Sequence, residues 1–171
     1  PLTAATYSPL CVCKRELIMA TNLLELLNEQ ETLILDDAVE ALARSQLRHY
    51  AVAGAAWNRQ RLQNLFDFTR DCVRKRTLMP LVEHMELIAQ ERFEAGFDIH
   101  EVQTAVNVLE ESIWQQINYN LPPTEYAEAF GLISTVLGAG KDALAQSYVT
   151  LASHTKAPSL NLNALFQGTA G

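Results

Sequence analysis

The chain has 171 residues, 49% of them hydrophobic and 19% charged, with a net charge of −7. That is enough apolar material for one domain with a real core, and too much for a disordered segment. An acidic whole argues against nucleic acid as a main partner, and no apolar run is long enough to span a bilayer, so no membrane is expected either.

The opening residues lack the basic start, long apolar run and small-residue cleavage site of a signal peptide, and Met19 would make a sensible start. Residues 1–18 are expected to be a flexible leader or non-native extension, 19–154 a helical domain, and 155–171 a non-helical tail. Cys11, Cys13 and Cys72 make an odd count with no export signal, which favours reduced thiols in a cytosol. Cys11 and Cys13 alone supply half of a tetrahedral metal site, so no metal is expected there.

Glycine and proline gather at junctions, and no stretch alternates strictly between apolar and polar residues. The expected fold class is all-α, a bundle of about six helices, with globin-like packing as one arrangement open to it. The first helix spans about Glu16–Asn28, with Leu17, Leu23, Leu24 and Leu27 on one face. The second spans about Glu31–Tyr50 and carries Leu35, Ala38, Val39 and Leu42. The third, about Ala56–Arg76, uses Leu62, Leu65, Phe66, Thr69 and Val73, and its basic end complements the helix dipole.

The fourth helix, about Leu78–Ala95, takes Thr77 as a cap and tolerates Pro80 in its first turn. Gly96 can close it in the left-handed conformation. Asp98 and Glu101 then have the spacing of a capping box, and Phe97 and Val102 that of a hydrophobic staple, so a sharp helix–helix corner is expected. The fifth helix runs to about Asn120, where Pro122 and Pro123 stop it. The sixth, about Thr124–Ser153, has a near-heptad seam of Tyr126, Phe130, Ile133, Leu137, Leu144 and Tyr148, a candidate subunit interface. Gly131, Ser134, Gly138 and Ala139 offer small surfaces for another helix.

Charge is uneven. Between Arg59 and Arg76 six bases face two acids, whereas Thr77–Phe130 holds ten acids against Arg92 alone. The basic stretch reads as a solvated helix end, or as a surface complementing the acidic one in a second subunit.

Motifs for chemistry are missing. His100 begins a zinc-protease-like "HE", but position 104 is Thr where a second His is needed. No His is preceded three residues earlier by Glu, as a di-iron bundle requires. His84 is the best candidate haem ligand, though it lies roughly 110° from the centre of its helix's apolar face at the 3.6-residue period. No nucleophile elbow or phosphate loop occurs, and the carboxylates fall mostly on outer helix faces. No catalytic residue and no cofactor is therefore expected.

The run Arg92-Phe93-Glu94-Ala95-Gly96, then Phe97-Asp98-Ile99, then Val102, Ala105, Leu109, Ile113 and Trp114 resembles the N-terminal domain of RsbT co-antagonist proteins of the RsbR/RsbRD type, which act in bacterial stress signalling. Pro80–Gln90 also fits in character, and the likeness covers most of residues 20–153. It implies an all-helical, cytoplasmic input module that forms a homodimer and passes a signal to an output domain or signalling partner. In that family the output is a STAS domain, which engages a switch kinase. Only seventeen residues follow His154 here, so the kinase-binding and phospho-acceptor roles do not carry over. The expected function is a non-enzymatic sensory or regulatory module. The alternative is a sensor that binds haem or a small ligand.

Overall fold

The computed structural model describes residues 22–156. The leader over 1–18, with Cys11 and Cys13, and nearly all of the tail over 155–171 lie outside it. Seven α-helices follow one another with no strand among the described residues: α1 (Leu23–Glu29), α2 (Glu31–Arg44), α3 (Arg48–Ala53), α4 (Ala55–Lys75), α5 (Met79–Glu94), α6 (Ile99–Asn120) and α7 (Tyr126–Lys156). A 3₁₀ turn, Pro123–Glu125, leads into α7. The protein is an all-α multi-helix bundle.

The expected second helix is two. Gln46 takes φ +52 and Leu47 is extended, so α2 stops at Arg44 and α3 restarts at Arg48. Continuing one helix would keep the register of α2. The break instead lets Tyr50 turn inward, where it is 4% exposed. Gly54, at φ +83, then ends α3 and opens α4. Between α4 and α5, Thr77 is not the cap: Leu78 occupies that position without a side-chain bond, and the Thr77 N–H goes back to the Cys72 carbonyl at 3.3 Å.

The α5–α6 corner follows from local chemistry. Gly96 sits at φ +79, its N–H bonds to the Phe93 carbonyl at 3.0 Å, and the Phe97 N–H bonds to the Arg92 carbonyl at 2.9 Å. These two crossed bonds form a Schellman closure. Asp98 opens α6 by accepting the His100 N–H at 2.8 Å, and Glu101 reaches back to the Asp98 N–H at 3.2 Å, completing a capping box.

Packing is organised around α6 and α7. One side of α6 meets α2, another meets α7, and α7 makes its most extensive contact with α5; α4 touches all of these. Leu26, Leu35, Phe66, Leu81, Met85, Leu109 and Ile113 are among the fully buried side chains at the centre. The close α7–α5 approach is at Gly140, where an added Cβ would lie 3.1 Å from Leu81 Cδ2 and 3.2 Å from Met85 Cγ. At Gly131 and Gly138, where the residue pattern suggests a close neighbour, nothing lies within 4 Å.

The seam of α7 also faces differently from expectation. Ile133, Leu137 and Leu144 are fully buried and Tyr148 nearly so, all within this one chain. They form its own core, so they are not available to a second subunit. Only Tyr126 and Phe130 stay partly exposed, and Phe130 packs edge-on against Trp114 and Tyr126, both at 5.8 Å.

Candidate functional site

The α5–α6 corner is also where α3, α4 and α7 converge. The carboxylate of Glu101, only 8% exposed, does more than cap its own helix. Its Oε1 accepts the His49 N–H at 3.1 Å, and His49 Nδ1 lies 2.6 Å from Oε2, in place to donate to it. Leu47, the N-cap of α3, offers no side-chain bond of its own, so Glu101, 52 positions after His49, fills that role. Burial pushes the Glu101 carboxyl up, but the His49 N–H, the His49 ring and the Asp98 N–H together outweigh it and hold the group below its usual range. The expected outward placement of the carboxylates fails here, and again at Glu110, buried against Lys141 Nζ at 2.7 Å.

Phe97 gathers the remaining partners. His49 stacks on its ring at 4.4 Å and Tyr50 meets it edge-on at 5.5 Å. The guanidinium carbons of Arg61 and Arg92 lie 5.7 Å and 5.1 Å from its centre. The Tyr148 hydroxyl of α7 donates to its carbonyl at 3.3 Å. One residue thus touches side chains from four other helices or helix ends. Burial raises the Tyr148 phenol to about 12, so it stays a hydrogen-bond donor at neutral pH.

Beside this hub lies a partly enclosed cavity of about 40 Å³. Tyr50, Arg61, His84 and Arg92 line it, together with an apolar wall that includes Leu62, Leu65, Met85, Ile88 and Val106. Its two arginines are electrostatically unusual. Of the six bases between Arg59 and Arg76, five are ion-paired inside the chain: Arg59 with Asp36, Arg70 with Glu31 and Asp67, Arg74 and Lys75 with Asp71, and Arg76 with Glu128. These pairs form within the chain, whereas complementarity with a second subunit is one of two readings of the basic stretch. Arg61 is the exception, and Arg92 likewise forms no ion pair with any described residue. Arg61 Nη1 is buried and has no hydrogen-bond partner among the described residues. Burial, then the charge of Arg92, pull the Arg61 guanidinium below its ordinary value, against weaker support from Tyr50 and Glu91.

His84 lines the same cavity, with its ring stacked on Phe68 at 4.2 Å. Burial, assisted by Arg92 and opposed by Glu91, lowers its pKa and favours neutral imidazole. Haem does not fit beside it. Pockets that bury a drug-sized ligand run to roughly 300–1,000 Å³, far above this cavity. Among the described residues no three His, Cys, Asp or Glu side chains gather as a metal site.

Residue patterns pointed to the corner, Gly96, Phe97, Asp98, Glu101 and Val102, but passed over Arg61 and over Asn58, buried in α4 with its Nδ2 donating to the Tyr50 carbonyl at 2.8 Å. A signal for both was present. Asn58 and Arg61 stand four residues before the core positions Leu62 and Leu65, so each places a polar group on a buried stripe. Arg92 follows Ile88 by the same interval.

Comparison with protein-family models, with curated proteins and with solved structures finds no match to this chain in any of the three.

Proposed function

We propose that this domain is a non-catalytic sensory and regulatory module of the type the RsbT co-antagonist resemblance implies. It works in the bacterial cytosol as a homodimer and acts through contact with a signalling partner or output domain. The observation that carries this reading is the convergence of four helices on Phe97, next to a cavity lined by two arginines that form no ion pair with any described residue. A change in the cavity reaches α3, α4, α5 and α7 through one ring and one carbonyl, which is how a small event repacks a helical face. Compatible with this, no helix among the described residues is long and apolar enough to cross a membrane.

The partner surface in this reading is the outward aromatic cluster of Trp114, Tyr126 and Phe130, with Trp114 38% exposed. Large aromatic side chains left half in water are frequent anchors of protein contacts. Light scattering across a concentration series tests the dimer. Twice the chain mass is expected, and a single chain mass up to millimolar concentration would remove the dimer from the account.

A further inference from the structure

Charged groups taken out of water are normally paired, because desolvation costs several kcal/mol per ion and an unmatched donor costs more again. The cavity beside Phe97 departs from that rule at Arg61, whose Nη1 is buried, with the half-buried Arg92, unpaired among the described residues, beside it. Arg61 and Arg92 both border it, each repels the other, and one Arg61 nitrogen has no acceptor among the described residues. Glu91 acts on Arg61 at a distance but is exposed and forms no ion pair with it. Water could accept the stray hydrogen bond. It could not neutralise two neighbouring cations that repel each other.

The geometry points to a short-chain monocarboxylate, of acetate or propionate size, as the ligand that fills this cavity with its carboxylate between Arg61 and Arg92. Three features select that class. A planar carboxylate matches the forked donors of a guanidinium. The apolar wall of Leu62, Leu65, Met85, Ile88 and Val106 suits a methyl or ethyl tail and offers no partners for sugar hydroxyls or a second anionic group. At about 10–15 Å³ for each water-sized group, a cavity of about 40 Å³ accepts roughly three, which matches the three carbons of propionate with the carboxylate oxygens at its open side. Tyr50 and neutral His84, which also line the cavity, can supply a further hydrogen bond. The inference deepens the sensory reading above, for which it names the class of signal.

Met85 lies in the wall, whereas Met79 is exposed on the outer part of the same helix, so methyl NMR of the full chain carries its own control. Sodium propionate, acetate, nitrate and chloride are titrated separately at constant ionic strength. The expected result is a saturable shift of the Met85 methyl with propionate and acetate, little response at Met79, and at least tenfold weaker binding in Arg61→Gln and Arg92→Gln. Arg61→Lys, which keeps the charge but loses the fork, should fall between. Circular dichroism confirms that each variant is folded. An equal response to nitrate overturns the carboxylate assignment, and a flat Met85 signal in all four salts overturns the site. Light scattering on the same samples separates the two readings. Propionate binding to a monomer upholds the ligand and counts against the dimeric module, while a dimer with a flat Met85 signal does the reverse.

Discussion

Glu101 and His49, 52 residues apart in the chain, share one carboxylate between two helix starts: Glu101 accepts the His49 N–H at 3.1 Å while also accepting the Asp98 N–H at 3.2 Å. Replacing it with glutamine keeps the shape but removes the charge that strengthens both caps. Glu101→Gln should lower the unfolding free energy by about 1–3 kcal/mol, measured by urea titration. A double-mutant cycle with His49→Ala should show coupling, because the two side chains meet directly. Additive losses would mean that the contact contributes nothing.

The same carboxylate sets a pH dependence. Its folded-state pKa lies below the ordinary 4.5, so the folded state favours the ionised form. The stabilisation is complete above pH 4.5 and disappears as the pH falls through the lower folded-state value. Glutamine at this position cannot titrate. The stability gap between wild type and Glu101→Gln should therefore narrow as the pH falls below 4.5. A gap that widens on acidification would contradict the assignment.

Two glycines of α7 should respond in opposite ways. Gly138 has nothing within 4 Å of an added Cβ, so Gly138→Ala should stabilise by about 0.5–1 kcal/mol through helix propensity alone. At Gly140 the same gain is set against Leu81 and Met85 at 3.1–3.2 Å. Overpacking of this kind costs about 1–3 kcal/mol. Gly140→Ala should therefore be less stable than Gly138→Ala, and equal melting temperatures would show that α5 yields more easily than its burial implies.

Much of this architecture can be read from residue spacing. Gly96, Asp98 and Glu101 announce their corner because capping is local and each partner lies within a few residues. The Leu62, Leu65, Phe66 and Val73 stripe announces the buried side of α4 for the same reason. Periodicity does not say what a stripe meets. Ile133, Leu137 and Leu144 share a face whether it packs within the same chain or on another subunit, and here the chain's own helices bury it. The break at Gln46 and Leu47 was hidden because it is stabilised by Glu101 and Tyr50, through tertiary contacts that no short window contains. The unpaired state of Arg61 was hidden too, since it shows only once the other five bases of its stretch have found their acids.

The dimer reading makes a local demand. If Trp114 anchors it, Trp114→Glu should weaken self-association at least tenfold, about 1.4 kcal/mol or more, while leaving helicity intact. Val149 is a suitable control, being 66% exposed on α7 and not among the aromatic partners of Trp114. Equal weakening by Val149→Glu would place the contact elsewhere.

The central claim is that Phe97 couples the helices around it, and amide hydrogen exchange of Phe97→Ala against wild type tests it most directly. The account predicts that protection falls together at the start of α3, around His49, and in α7 around Tyr148, although neither segment adjoins Phe97 in the chain. Loss confined to residues 96–102, with α3 and α7 unchanged, would contradict it.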